Sequence, residues 1–343
     1  MKKILIILTG GTIGSEVKNN IINVTHNNYL TKILNSNFEK IKFKIVKPIN
    51  ILSENALPSD WNKIINSIKK SWDNSFAGII ITYGTDTLSY AASAFSQFFY
   101  NFDKPVILVS SDKILREKNA SGKYNIISAI NFIDKEKLQG TFVAYKNPTS
   151  SFVSFFLGSR IKQVNAFNNK LESITGEDFY KYKKNKFIYT KNKFNPAISK
   201  FKKNKFVKFV EKFSFSNKIL VINSYPGINY KYFNLNADKP KAILHSLYHS
   251  GTTSTREQNN FSILNFIKKC SSKKIPFYIS PISQKKNIYQ SLKTLLKLKV
   301  KILDGMSFES SYAKLSLAYG SFSSKKKIEK FLNKNNSFEK IKF

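Results

Sequence analysis

Cysteine is nearly missing from this chain: Cys270 stands alone, so neither a disulfide framework nor a thiolate zinc cluster can be assembled. Histidine is almost as scarce. His26, His245 and His249 lie apart in sequence and leave little scope for an imidazole metal centre or for a histidine base beside a nucleophile. Long apolar runs are absent too; Ile4 to Leu8 is far too short to cross a bilayer, and no membrane association is expected. Lys2 and Lys3 before that run imitate a secretory leader. The run is shorter than a leader's apolar segment and no small-residue cleavage site follows, so it reads as a buried first strand in a protein of the reducing cytoplasm. Arginine is the last scarcity. Only Arg116, Arg160 and Arg256 occur among 57 basic residues, whereas base and phosphate readers lean on arginine's bidentate fork.

The charge that is present is therefore lysine, and with 21 acidic residues it leaves a net charge of +36. That lysine comes with Asn, Ile, Phe and Tyr, all served by AT-rich codons, so genome composition accounts for it without a dedicated polyanion partner. Weak, sequence-indifferent binding of nucleic acid is all the charge implies. A hydrophobic fraction of 42% excludes a disordered chain, and 343 residues suffice for two domains with their own cores.

Strand-length apolar runs alternate with segments of helical period, the pattern of α/β folds with parallel sheets. Strands are expected at Ile4 to Leu8, Phe43 to Leu52, Gly78 to Thr82 and Pro105 to Val109. Trp61, Ile64, Ile65, Ile68 and Trp72 share a helix face after Pro58 and a capping Ser59; Leu88, Ala91, Ala92, Phe95 and Phe99 repeat the geometry, and Tyr124 to Ile133 supplies another helix. A lysine-rich stretch without period separates two halves. The expected division is residues 1–185 as an N-terminal α/β domain, 186–217 as a basic linker and 218–343 as a smaller α/β domain. In that second domain, Lys218 to Ile222, Ala242 to Leu247 and Pro276 to Ile279 are expected strands; Phe261 to Cys270, Ile288 to Leu298 and Glu309 to Ala318 are expected helices.

In a parallel sheet ligands collect beyond the carboxyl ends of the strands. The loops there are Thr9-Gly10-Gly11-Thr12-Ile13-Gly14-Ser15, Ser53-Glu54-Asn55 and Tyr83-Gly84-Thr85-Asp86-Thr87. The first has neither the dinucleotide glycine spacing nor a Walker lysine, which argues against a nucleotide. Taken alone it reads first as a tight strand-to-helix turn with Thr12 capping the helix.

Together, TGGTIGS and YGTDTLSYAASA resemble the L-asparaginase family of threonine amidohydrolases, cytoplasmic type I-like branch. ILSENALPSDW, KPVILVSS, GKYNIISAI, GSRIKQV, SYPGI, LHSLYHSGT and DGMSFESSYAKLSLAYG extend the likeness over nearly the whole chain. The resemblance implies an N-terminal flavodoxin-like domain followed by a smaller α/β domain. It further implies hydrolysis of L-asparagine to L-aspartate and ammonia without metal or cofactor, by a homodimer or homotetramer with active sites completed at subunit contacts. Residue by residue, the nucleophile matches Thr12; Thr85, Asp86 and Lys162 match the remaining catalytic positions. Gly11, Ser53, Glu54, Thr85 and Asp86 match the substrate-binding ones, with Ser53 and Glu54 on the α-carboxylate and α-amine and Asp86 sharing the amine. Lys162 is anchored by Leu171-Glu172-Ser173 at the family's distance.

With no histidine near either motif, a lysine must take the threonine's proton. Desolvation of Lys162 favours that role and the Asp86 carboxylate opposes it. The sequence departs from the family in three places. No tyrosine lies between Ser15 and Asn28, where a lid tyrosine is usual, and Tyr29 comes late; Tyr83 replaces a common histidine; Ser121 stands where an aspartate usually precedes the glycine. His245 and His249 are expected to be structural. Two other readings are the glutaminase-like subunit of an archaeal tRNA-dependent amidotransferase and a catalytically dead RNA-binding scaffold. The first carries an N-terminal extension, whereas the motif here begins within ten residues of Met1; the intact Thr12, Thr85, Asp86 and Lys162 weigh against the second.

Overall fold

Lysines open the strand Lys2–Leu8 (β1), but Ile4 to Ile7 are buried on both faces, as a central strand of a parallel sheet requires. The structure, a computed structural model, describes the chain apart from residues 12, 14, 19–20, 25–27, 202–208, 210–211, 237, 257–258, 283–287, 299 and 343. After β1 come Ser15–Lys18 (β2) and Ile21–Val24 (β3), paired antiparallel, then Asn28–Asn37 (α1) and Ile41–Val46 (β4). Pro58–Ser71 (α2), Phe76–Thr82 (β5), Leu88–Phe98 (α3), Pro105–Val109 (β6) and Ser121–Lys135 (α4) follow, then Gly140–Tyr145 (β7) and Val153–Leu157 (β8). Tyr180–Lys183 (β9) and Lys186–Tyr189 (β10) close the set.

One sheet of order β10-β9-β8-β7-β6-β5-β1-β4 results. From β4 to β7 it is parallel; β8, β9 and β10 extend it antiparallel. The sheet is thus mixed, larger than the four parallel strands expected, and Lys186–Tyr189 is its edge strand. The second strand is shorter than expected. Pro48 lacks the N–H needed to continue the ladder, so β4 stops at Val46 and only Ile51 returns, as an isolated bridge to Gly10. Helix α2 begins at Pro58, not after Ser59: the Asp60 carboxylate accepts the Leu57 N–H at 3.0 Å, and proline suits the first helical position.

A second compact unit holds Ile219–Ile222 (β11), Ala242–Ser246 (β12), Ile263–Ser272 (α5), Phe277–Ser280 (β13), Gln290–Lys297 (α6), Lys301–Ile302 (β14), Phe308–Ser321 (α7) and Lys325–Asn333 (α8). Its four strands are parallel in chain order. The compact units are residues 1–213 with 336–338, and 214–335 with 339–343. Among the described residues no helix is long and apolar enough to cross a membrane.

Candidate active site

Glycine geometry brings three loops together at the carboxyl ends of β1 and β5. Gly10 and Gly11 have φ of +105° and +72°, conformations that L side chains rarely adopt. A Cβ on Gly10 would lie 2.8 Å from the Ile51 nitrogen, one on Gly11 2.8 Å from the Gly84 nitrogen, and one on Gly84 2.7 Å from Ser53 Cβ. The first loop therefore touches both others through bare backbone, and the second and third interlock. Hydrogen bonds fix the arrangement: Thr9 Oγ1 donates to the Thr82 carbonyl (2.6 Å), Ile51 N–H to the Thr9 carbonyl (3.0 Å) and Thr87 Oγ1 to the Ser53 carbonyl (2.8 Å). The Gly11 N–H is itself engaged by the Ile51 carbonyl at 3.2 Å.

Of the residues singled out from the sequence, Ser53, Thr85 and Asp86 lie on these converging loops. Ser53 is buried and donates through Oγ to Asp86 Oδ2 at 3.3 Å; Glu54 is exposed in the same 3-10 turn, Ser53–Asn55. Thr85 is half-buried and Asp86 exposed, immediately before α3. The positive end of that helix's dipole favours an anion there, while Asp86 and Glu54 favour a cation. The combination suits an amino acid zwitterion. Thr12, the residue matched to the nucleophile, lies outside the described residues.

Lys162 sits on a hairpin that leaves the sheet after the 3-10 turn Gly158–Arg160. The Ile161–Ser173 bridge and the Lys162 N–H to Glu172 carbonyl bond (2.9 Å) set its register; Asn147 clamps it through Leu171 N–H (2.7 Å) and carbonyl (3.0 Å). The ammonium is half-exposed and meets Glu172 Oε2 at 3.4 Å, rather than hydrogen-bonding to Thr85. Glu172 Oε1 holds Lys170 more closely, at 2.7 Å, and that bond, followed by the weaker one from Lys162, keeps the carboxyl below its ordinary range. Lys170 thus satisfies Glu172 independently of Lys162. Gln163, next in the chain, donates to the Asp86 carbonyl at 3.2 Å and ties this hairpin to the third loop.

The departures have structural explanations. Tyr83 is buried, its hydroxyl accepting from Trp61 Nε1 at 3.1 Å, and burial pushes its pKa up: it is a packing post under the loop. Ser121 recruits Asp112, whose Oδ1 accepts from both Ser121 N–H (2.9 Å) and Oγ (2.6 Å), so a carboxylate caps α4 from nine residues upstream. Tyr29 packs against the core of the first unit. In the second unit His245 is fully buried with Nδ1 2.6 Å from the Ser246 carbonyl and Nε2 3.0 Å from the Tyr230 hydroxyl. A carbonyl only accepts, so Nδ1 carries the proton and Nε2 accepts; burial lowers this histidine to about 4. His249 is exposed. Glu172, Gln163, Asn147 and Thr87 were not given roles from the sequence; Thr87, Gln163 and Glu172 lie inside segments singled out there, whereas Asn147 carried no signal. Among the described residues no cluster of three His, Cys, Asp or Glu side chains could hold a metal ion.

Comparison with known proteins agrees with this architecture. A glutamyl-tRNA(Gln) amidotransferase subunit of Methanococcus maripaludis (strain C7) is 30% identical over 250 residues, 70% of this chain and 57% of that protein. The corresponding subunit of Methanosphaera stadtmanae is 24% identical over 97% of this chain and 76% of its own length. The chain spans between half and three fifths of the length of the first three Methanococcus relatives (57%, 55% and 58%). In fold, the thermostable L-asparaginase of Thermococcus kodakarensis superposes with a TM-score of 0.78 at 22% identity, covering 98% of this chain and 99% of that one. L-asparaginase I of Vibrio cholerae gives 0.78 at 22%, covering 99% of each. The family description "Asparaginase, N-terminal" matches residues 3–193, more than half of the sequence and all but the first residue of the sheet built above, and the chain belongs to the asparaginase family.

Proposed function

We propose that this protein is an L-asparaginase, releasing ammonia and L-aspartate through attack of Thr12 on the side-chain amide. The interlocking of the Gly10-Gly11, Ser53 and Gly84-Asp86 loops carries the reading, because it gathers hydroxyls and carboxylates suited to an amino acid at the carboxyl ends of parallel strands. In this account Ser53 and the start of α3 hold the α-carboxylate, and Asp86 with Glu54 the α-amine. Thr85, whose hydroxyl has no partner among the described residues, and Lys162 relay the proton from the nucleophile and then activate water. Lys162 must leave Glu172 to do so, and Lys170 makes that exchange cheap. Gly11 contributes backbone shape, since its N–H is already engaged by Ile51. Active protein is a homodimer or homotetramer in this reading, and sedimentation should find no fully active monomer.

The amidotransferase relatives favour a second reading, a glutaminase-like subunit. Ammonia release from L-asparagine against L-glutamine on purified protein separates the two. Preference for asparagine without added RNA supports the first; activity on glutamine that requires tRNA and a partner protein supports the second.

A further inference from the structure

A cavity of about 80 Å³ opens at the other end of the first unit's sheet. Thr141, near the start of β7, lines it, and β7 runs parallel to β1 and β5, so the cavity lies at the opposite strand ends from Ser53 and Asp86. All its walls, including residues 336–338, belong to the first unit. Leu157, Phe201 and Phe338 give one apolar side, with the two rings 4.5 Å apart. Lys200 is exposed at the mouth without a carboxylate in ion-pair reach among the described residues, and none of the lining residues is acidic.

Two features mark the cavity as more than a packing gap. Thr141 Oγ1, on the wall, is buried without a hydrogen-bond partner; so is Oε1 of Gln97, which stands behind the wall and is bonded through Nε2 to the lining Ser337 Oγ at 2.9 Å. A buried polar atom left unpaired is costly, and an unpaired hydroxyl on the wall of a hollow points to an occupant. Moreover, Phe338 holds φ at +59°, a strained conformation for an aromatic residue, and buried side chains hold it there. Arg160 Nε donates to the Phe338 carbonyl at 2.5 Å, Arg160 Nη1 to the Phe194 carbonyl at 2.8 Å, and Ser159 Oγ to the Ser337 carbonyl at 2.7 Å. Ser159 and Arg160 lead directly into Ile161, Lys162 and Gln163.

We propose that this cavity binds a small aliphatic monocarboxylate, its charge on Lys200 and its carbon chain against Leu157, Phe201 and Phe338, and that occupancy reaches the Lys162 hairpin through Ser159 and Arg160. A single cation with no acidic neighbour suits a simple carboxylate and gives nothing to an α-ammonium, so asparagine and aspartate are excluded as ligands here. Coupling to catalysis rests on the role proposed for Lys162; binding does not.

The test uses the full chain and butyrate as probe, with binding followed by calorimetry and ligand-observed NMR. Saturable binding is expected, weakened about tenfold or more by Lys200→Met through loss of a charge-assisted contact, with L-aspartate unable to compete. Thr141→Val, nearly isosteric, reports on the buried hydroxyl without emptying the wall and should also weaken binding. The site is overturned if butyrate does not saturate, if water alone fills the cavity, or if Lys200→Met binds as well as the native chain. Binding without any change in asparagine turnover overturns the coupling alone, and a protein inactive on asparagine that still binds butyrate leaves the site standing while removing the catalytic reading.

Discussion

Replacing Gly84 by alanine sets a methyl carbon 2.7 Å from Ser53 Cβ, with the Ser53 hydroxyl nearer still. Normal carbon contacts are ~3.5–4.0 Å, so about 1 Å must be found by moving one loop against the other. Both loops are pinned, Ser53 by Thr87 through its carbonyl and Gly84 by the Gly11 backbone beneath it. Overpacking of this kind costs about 1–3 kcal/mol, and each kcal/mol lowers Tm by about 2–4 °C in a domain of this size. A misplacement of ~1 Å in a binding residue lowers turnover by about a hundredfold. Gly84→Ala should therefore unfold a few degrees early and lose about two orders of magnitude in kcat/KM for asparagine. Adding Ser53→Gly should restore Tm by removing the obstructing side chain, without restoring KM. Native Tm and native kcat/KM in Gly84→Ala would refute the interlocked-loop site.

Other perturbations test the rest of the account. Glu172→Gln removes the carboxylate that Lys162 meets at 3.4 Å and should change kcat for asparagine while leaving Tm within about 1–2 °C, because both side chains are largely exposed; an unchanged kcat would separate this pair from catalysis. His245 is held neutral to about 4 in the fold, against ~6.5 when unfolded, so the unfolded chain binds the extra proton first. Its contribution is intact above ~6.5 and lost as pH falls toward 4, with an upper bound on the order of 3 kcal/mol; urea titrations of His245→Asn should show a flatter dependence across that window. Lys314 and Glu339 form a fully buried pair in the second unit, with Lys314 also donating to the Lys334 carbonyl. Lys314→Met alone should cost ~3–5 kcal/mol in urea unfolding by removing the ammonium beside a buried carboxylate, and pairing it with Glu339→Leu should recover most of that.

The parallel half of the sheet was legible because its strands are continuous β-branched runs ending at glycine or hydroxyl turns, as in β1, β5 and β6. The antiparallel extension was not. In β9 lysine alternates with tyrosine, and β10, the edge strand, opens on Lys186 just after Lys183 and Lys184, so the hairpin reads locally as a charged connector. The candidate site was legible for Ser53, Thr85 and Asp86, since each lies in a short loop at a predictable strand end. Lys162 and its partners were harder to read. The Lys162–Glu172 pair depends on a short hairpin that leaves the sheet and is clamped by Asn147 from another strand end, contacts with no local periodicity. The Asp112–Ser121 exchange was hidden for the same reason: a capping carboxylate supplied from nine residues away looks, in sequence, like its loss.

The central claim, that Thr12 attacks the amide, is tested most directly by ammonia release from L-asparagine with purified native chain and Thr12→Ala, their folds matched by circular dichroism and Tm. The account predicts a loss of several orders of magnitude in kcat with native stability retained. Near-native turnover in Thr12→Ala, with Thr85→Ala inactive, would move the nucleophile to Thr85 and contradict it.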